Sequence, residues 1–67
     1  MKIIINGNET ILAEWVLTVA DMLASLNIPQ SGTAVALNDK VVPKAKHENR
    51  KLAENDRIEI VRAVAGG

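Results

Sequence analysis

A run of β-branched residues that ends in Asn-Gly opens the chain and constrains its fold more than any other feature. Lys2 to Asn6 contains three consecutive isoleucines, and such a run is typical of a buried β-strand. Asn6-Gly7 is the strongest two-residue signal for a β-hairpin with a type I′ turn. We therefore predict a hairpin whose second strand, Glu9 to Ala13, returns antiparallel to the first.

One amphipathic helix is predicted after this hairpin. Thr18 followed three residues later by Asp21 forms the Asp version of a capping box. Asn27 can end the helix in the left-handed conformation, and Pro29 prevents its continuation. Between these signals, apolar residues recur at helical spacing and predict one stripe that packs on a sheet: Val19, Met22, Leu23 and Leu26.

Three further strands are predicted in the second half of the chain. Thr33 to Leu37 reads as a third strand, and a turn leads from it to a short strand at Lys40 to Val42, which Pro43 ends or keeps at an edge. Lys44 to Lys51 is polar and is expected to form a loop with at most one turn of helix. Arg57 to Val61 is the last strand.

The first and last strands carry apolar side chains on both faces, which predicts that they are central neighbours in one sheet. A right-handed crossover through the helix makes them parallel. This is the α+β β-grasp fold of ubiquitin-like proteins, with a mixed sheet of four to five strands and one main helix across one face. We expect residues 1–67 to form a single domain with a flexible C-terminal tail at residues 63–67.

Alternation along these strands assigns their side chains to faces. If the helix covers Ile3, Ile5, Ile58 and Ile60, then Ile4 and Val61 lie on the opposite face. Exposed apolar residues there would mark a partner surface. The alternative is that a loop covers them.

Composition excludes several classes of function. Eight basic and eight acidic residues cancel, which gives no general electrostatic reason to bind nucleic acid or an anionic membrane. The chain has no cysteine, hence no disulfide, cysteine nucleophile or cysteine metal site. No apolar run approaches the roughly 18 residues of a membrane span, and no signal peptide is recognisable. A cytoplasmic protein is expected.

No residue pattern indicates an enzyme. There is no phosphate-binding glycine loop, paired-carboxylate site or Ser/His/Asp set. His47, the only histidine, lacks the other ligands of a metal site and is expected to be a solvated surface residue. Trp15 is expected to cover an edge of the core.

Five of the eight basic residues lie close together in the sequence: Lys40, Lys44, Lys46, Arg50 and Lys51. No aromatic residues lie among them to stack on bases. A solvated loop is the simpler interpretation. A docking edge for an acidic partner is the alternative.

The C-terminal sequence supplies the candidate reactive group. Arg62 is followed by Ala63, Val64 and Ala65 and then by Gly66-Gly67. Glycines without a Cβ can lie flat in a narrow channel, so the carboxylate of Gly67 can reach an active site on another protein. A carboxylate is a poor electrophile until a leaving group is attached, so an activating partner that uses ATP is expected.

These features together resemble the sulfur carrier proteins of thiamin (thiazole) biosynthesis, a ubiquitin-like β-grasp family. The resemblance spans the chain and is most specific at its end, where Asn55 to Val61 leads through Arg62 into the diglycine. Weaker similarities are the Lys2 to Gly7 opening, the Thr18 to Leu23 helix start, Val35 to Asn38 and Val41 to Pro43. Family members often carry a third glycine where this chain has Ala65.

The resemblance implies a carrier, not a catalyst. A ubiquitin-activating-like adenylyltransferase would use ATP (with Mg²⁺) to adenylate the Gly67 carboxylate. Sulfur from a cysteine desulfurase persulfide would convert it to a thiocarboxylate, and thiazole synthase would take the sulfur. Arg62 to Gly66 would be the tail that enters the partner's channel, and the chain itself would bind no cofactor or metal.

Three alternatives remain open at this point. The small subunit of molybdopterin synthase is another diglycine-ended β-grasp sulfur carrier, although such chains tend to be longer. A ubiquitin-like modifier would join Gly67 to a lysine. A plain interaction module would leave the tail without a role.

Overall fold

A computed structural model of the protein describes residues 1–62. The elements in chain order are β1 (Lys2–Ile5), β2 (Asn8–Ile11), α1 (Val19–Ser25), β3 (Thr33–Leu37), β4 (Lys40–Val42), a short 3-10 helix (Lys44–Lys46) and β5 (Arg57–Arg62). Within this part of the chain, no helix has the length and apolar character needed to cross a membrane.

The strands form one mixed sheet in the order β2-β1-β5-β3-β4. β1 and β5 are parallel, with Ile5 opposite Ile58, whereas β2, β3 and β4 join their neighbours antiparallel. The last strand of the chain is therefore the middle strand of the sheet. This confirms the prediction that the first and last strands are parallel neighbours.

Both hairpins turn through residues with positive φ. In the first hairpin φ is 49° at Asn6 and 83° at Gly7, and in the second it is 49° at Asn38 and 72° at Asp39. Type I′ turns require positive φ at both central positions, which asparagine, aspartate and glycine tolerate. The predicted turn at Asn6-Gly7 is confirmed.

The helix and one face of the sheet enclose a single aliphatic core. Ile3 and Ile58 are buried in it, with Ile5 and Ile60 packed against it. The predicted helix stripe supplies the opposite side, since Val19, Met22 and Leu23 are buried and Leu26 packs at the margin. Helical and strand periodicities therefore placed these residues correctly.

The first backbone N–H groups of the short helix all have acceptors. The N–H of Val19 donates to the carbonyl of Arg50 at 3.0 Å, and that of Ala20 to the carbonyl of His47 at 2.9 Å. The N–H of Asp21 donates to Thr18 Oγ1 at 3.1 Å, while the Asp21 carboxylate accepts from the N–H of Thr18 at 3.2 Å. The predicted capping box is confirmed, and the segment after β4 completes the cap.

Four strand boundaries differ from the prediction. β1 ends at Ile5, and β2 is Asn8–Ile11, because a two-residue turn pairs Ile5 with Asn8. β5 extends through Arg62, which pairs with Thr33. The expectation that Arg62 leaves the sheet is therefore wrong, because β3 is long enough to pair with it.

Two side chains are placed differently from expectation. His47, expected at the surface, is 1% exposed. Its Nε2 donates to the carbonyl of Val42 at 3.2 Å, and its Nδ1 lies 3.1 Å from Gln30 Oε1. Trp15, expected to cover an edge of the core, is 57% exposed. The burial of His47 depends on a contact with Gln30, which lies 17 positions away in the sequence.

Candidate functional site

The predicted reactive end lies beyond the described residues. Gly67, Gly66 and the range 63–65 belong to the part of the chain that the structure does not describe. Arg62, the first residue of the predicted tail, is the last residue of β5. The structure thus places the start of the tail at the end of the middle strand.

Asn6 holds the second half of β5 on the side where β1 has ended. The side chain of Asn6 accepts from the N–H of Ile60 at 2.9 Å and donates to the carbonyl of the same residue at 3.2 Å. It therefore extends the β1–β5 ladder, whose last backbone hydrogen bond runs from the N–H of Asn6 to the carbonyl of Ile58. On the other side, β3 pairs with β5 as far as Arg62.

Asn38 has the corresponding position at the start of β5. Its side chain accepts from the N–H of Arg57 at 2.9 Å and donates to Asp56 at 3.0 Å. Sequence reasoning assigned Asn6 and Asn38 to turns only. Nothing local indicates that their side chains would also hold the middle strand, because Ile60 is 54 positions from Asn6.

The sheet face away from the helix carries exposed apolar residues. Val61 is 64% exposed, and Ile4, half-buried, lines the same groove of about 600 Å³. Directly opposed residues share a face, so the register adds Ile11, opposite Lys2, and Val41, opposite Ala36. Ile11 and Val41 are 77% and 76% exposed.

We call Ile4, Ile11, Val41 and Val61 the open face. Sequence reasoning placed Ile4 and Val61 there and missed Ile11 and Val41. Because side chains alternate between the two faces of a strand, the buried neighbours Leu12 and Val42 were the signal that could have placed Ile11 and Val41 on the open face. Within residues 1–62 no loop covers Val61, so the covered alternative is wrong for this residue.

The described side chains offer binding surfaces and no catalytic group. The groove beside the open face also contains the ion pair of Arg57 with Asp39, at 3.1 Å. Across residues 1–62, no three His, Cys, Asp or Glu residues come close enough together to hold a metal ion. The described geometry suits a domain that presents a surface to another protein.

Comparison with known proteins gives the family. The sequence model of the ThiS family matches residues 3–67. The chain is 32% identical to the sulfur carrier protein ThiS of Escherichia coli over 50 residues, which cover 75% of this chain and 76% of that protein. It is also 33% identical over all 67 residues to a thiazole synthase of Paramagnetospirillum magneticum, of which it spans only 20%.

The fold has close counterparts among solved structures. A crystal structure of the thiamine biosynthesis protein ThiS from Geobacter metallireducens superposes with a TM-score of 0.83, covering 100% of both chains at 23% identity. This likeness supports the β-grasp fold. Together with the family match, it confirms the resemblance to the sulfur carriers that the sequence predicted: the chain belongs to the ThiS family.

Proposed function

We propose that this chain is a sulfur carrier for thiamin biosynthesis and that its Gly67 carboxylate is the group that carries the sulfur. The observation that carries the proposal is the ThiS family match, which extends from residue 3 to the terminal Gly67. The similarity to the sulfur carrier protein ThiS of E. coli also supports it. The chemistry belongs to partners in the cytoplasm, where ATP is supplied.

The proposed loading has three steps. An oxygen of the Gly67 carboxylate attacks the α-phosphate of Mg²⁺-bound ATP in an adenylyltransferase, and pyrophosphate leaves. The terminal sulfur of a persulfide, formed by a cysteine desulfurase, attacks the acyl-adenylate and displaces AMP. A thiol then cleaves the resulting S–S bond, so that the thiocarboxylate remains on Gly67 and a disulfide forms on the donor.

The chain's own part is to present the tail. Arg62 is fixed in the sheet by β3, so the residues that we propose to enter the partner's channel are Ala63, Val64, Ala65 and Gly66. Glycines at its end leave the approach to the carboxylate free of side chains. The folded domain provides the surface that the partner binds.

Thiazole synthase is the proposed acceptor of the sulfur. The thiazole synthase of P. magneticum contains a segment similar to this whole chain, which supports a functional association of the two. We propose Ile4 and Val61, at the centre of the open face, as part of the surface that meets partners.

Intact-mass spectrometry tests the proposal. Incubation with the adenylyltransferase of the same organism, ATP and a persulfide donor is expected to add about 16 Da at Gly67, the exchange of oxygen for sulfur at the activated carboxylate. Deletion of Gly66 and Gly67 is expected to abolish the gain and to leave the fold stable, since terminal residues of most domains contribute little to the core. The Ala65→Gly variant is the matched control and is expected to be loaded.

Two results would contradict the carrier function. One is an unchanged mass of the wild-type chain under conditions where the adenylyltransferase consumes ATP. The other is a ladder of high-mass conjugates, which would indicate a protein modifier.

A further inference from the structure

The net charge of this chain is zero, but its positive and negative charges are concentrated in different parts of the sequence. Residues 40–51 contain five basic residues and one acidic residue, so this segment carries a surplus of four positive charges. The rest of the chain contains three basic and seven acidic residues and carries the opposite surplus. Such a distribution orients an approaching partner even when the net charge is zero.

Part of the basic segment surrounds a groove at the β4 edge of the sheet. The groove has a volume of about 200 Å³ and an apolar lining of Leu37, Val41, Val42 and Pro43. Its charged lining consists of Lys40, Lys46 and Arg50, which we call the basic rim. The N–H of Arg50 donates to the carbonyl of Lys46 at 2.9 Å, so these two residues are one helical turn apart.

Within residues 1–62, no acidic side chain forms an ion pair with the basic rim. The ion pairs within residues 1–62 are Lys2 with Glu9, at 3.8 Å, and Arg57 with Asp39, at 3.1 Å. Asp39, the sequence neighbour of Lys40, is therefore engaged by Arg57. Three cations that converge without an anion repel one another, and an acidic ligand would relieve this repulsion.

The lining indicates which kind of acidic ligand fits. A small anion would use the rim and leave the apolar lining in water. A nucleic acid would lack aromatic side chains to stack on, since none lines the groove. A protein segment with acidic and apolar side chains would contact both the basic rim and the apolar lining of the groove.

Val41 lies where this groove meets the open face, because it is a lining residue of the groove and its register position, opposite Ala36, is on the open face. A partner that covers the open face therefore extends to the β4 edge, where the groove begins. We infer that the β4-edge groove is the docking site for an acidic segment of thiazole synthase, and that it fixes how this enzyme is oriented on the open face. The inference rests on the proposed function, and among the partners named there thiazole synthase is chosen because a protein of that name contains a segment similar to this whole chain.

A pair of charge-reversal variants tests this. Lys46→Glu with Arg50→Glu reverses the rim, whereas Lys44→Glu with Lys51→Glu makes the same change in net charge within the same segment but outside the groove lining. Binding of each full-length chain to the thiazole synthase of the same organism is measured by biolayer interferometry at low and high salt. The rim variant is expected to associate roughly tenfold more slowly at low salt and to lose most of its salt dependence. The control is expected to change by less than roughly threefold.

Lys40→Gln is a milder rim variant that leaves the helical turn intact, and it is expected to slow association in the same direction. Equal effects of the two double variants would overturn the inference. The net charge of the segment, and not the position of the basic rim, would then determine the association rate. Unchanged binding of the rim variant would overturn it as well, and so would absence of binding by the wild-type chain. A wild-type chain that binds through the rim but never gains sulfur would instead contradict the proposed function alone.

Discussion

At the scale of single residues, His47 joins three parts of the fold. Its ring bonds to Val42 at the end of β4 and to Gln30 after the helix, and its carbonyl accepts from Ala20 in the first helical turn. Because the Val42 carbonyl can only accept, Nε2 must carry a proton. The side chain thus satisfies polar groups that the core would otherwise isolate.

Replacing this ring is expected to destabilise the protein. His47→Leu removes both ring hydrogen bonds and leaves the Val42 carbonyl without the Nε2 donor, so we expect the free energy of unfolding to fall by about 1–3 kcal/mol. Urea denaturation followed by circular dichroism measures the loss. Glu48→Leu places the same side chain at the neighbouring exposed position and is expected to change stability by less than about 0.5 kcal/mol. Equal midpoints for His47→Leu and the wild type would refute this role.

His47 also shows what the sequence could not predict at this scale. A histidine close to several lysines in the sequence is predicted to be exposed to solvent, because local composition is the only signal that the sequence offers. Its burial depends on Gln30, which lies 17 positions away. For Trp15 the error is the reverse. The size of its ring favours burial, but the side chain is exposed. Thr18 and Asp21, in contrast, were predicted correctly, because a capping box is a local interaction.

At the scale of elements, the middle strand is held at both ends by the hairpin turns. Asn38 bonds to the backbone at Arg57, and Asn6 bonds to both backbone groups of Ile60. β1 stops pairing with β5 after Ile58, so Asn6 replaces the missing strand residues there. On this side of β5, the part of the strand that leads to the tail is thus held by one amide side chain.

Asn6→Gly removes the side-chain contact with Ile60 and keeps the turn. Glycine keeps the positive φ that the turn needs but removes the amide, so we expect a loss of about 1 kcal/mol in unfolding free energy. We also expect faster hydrogen exchange at the Ile60 amide, measured by NMR. Asn6→Asp keeps the oxygen that accepts from Ile60 and is expected to protect this amide more than Asn6→Gly does. An Ile60 amide equally protected in the wild type and in Asn6→Gly would contradict the prediction.

Elements were predicted better than their ends. The β-branched runs, the turn at Asn6-Gly7 and the helical stripe carry strong local periodicity, so all five strands and the helix were found. The end of β5 was misplaced by one residue, because its length depends on pairing with Thr33 in β3. Such pairing is a property of the assembled sheet.

At the scale of the whole molecule, the fold separates a buried face from an open one. The period of two along β1 and β5 sends Ile3 and Ile58 into the core and Ile4 and Val61 to the opposite side, as the sequence predicted. Ile11 and Val41 extend the open face toward both edges of the sheet. The role of this face remains a proposal, as does that of Gly67.

Val61→Ser tests the open face as a partner surface. Full burial of a valine contributes about 1.5 kcal/mol, so its loss is expected to weaken binding to thiazole synthase roughly tenfold in Kd. The side chain is exposed in the free chain, and unfolding free energy is expected to change by less than about 1 kcal/mol. Isothermal titration calorimetry and urea denaturation measure the two effects.

Leu17→Ser is the matched control, because Leu17 is an exposed apolar residue outside the open face. It is expected to leave Kd unchanged. If both substitutions weakened binding alike, general apolar exposure and not the open face would attract the partner. If Val61→Ser left Kd unchanged, the sheet centre would lie outside the interface, and the partner would have to hold the chain by its tail and its β4 edge.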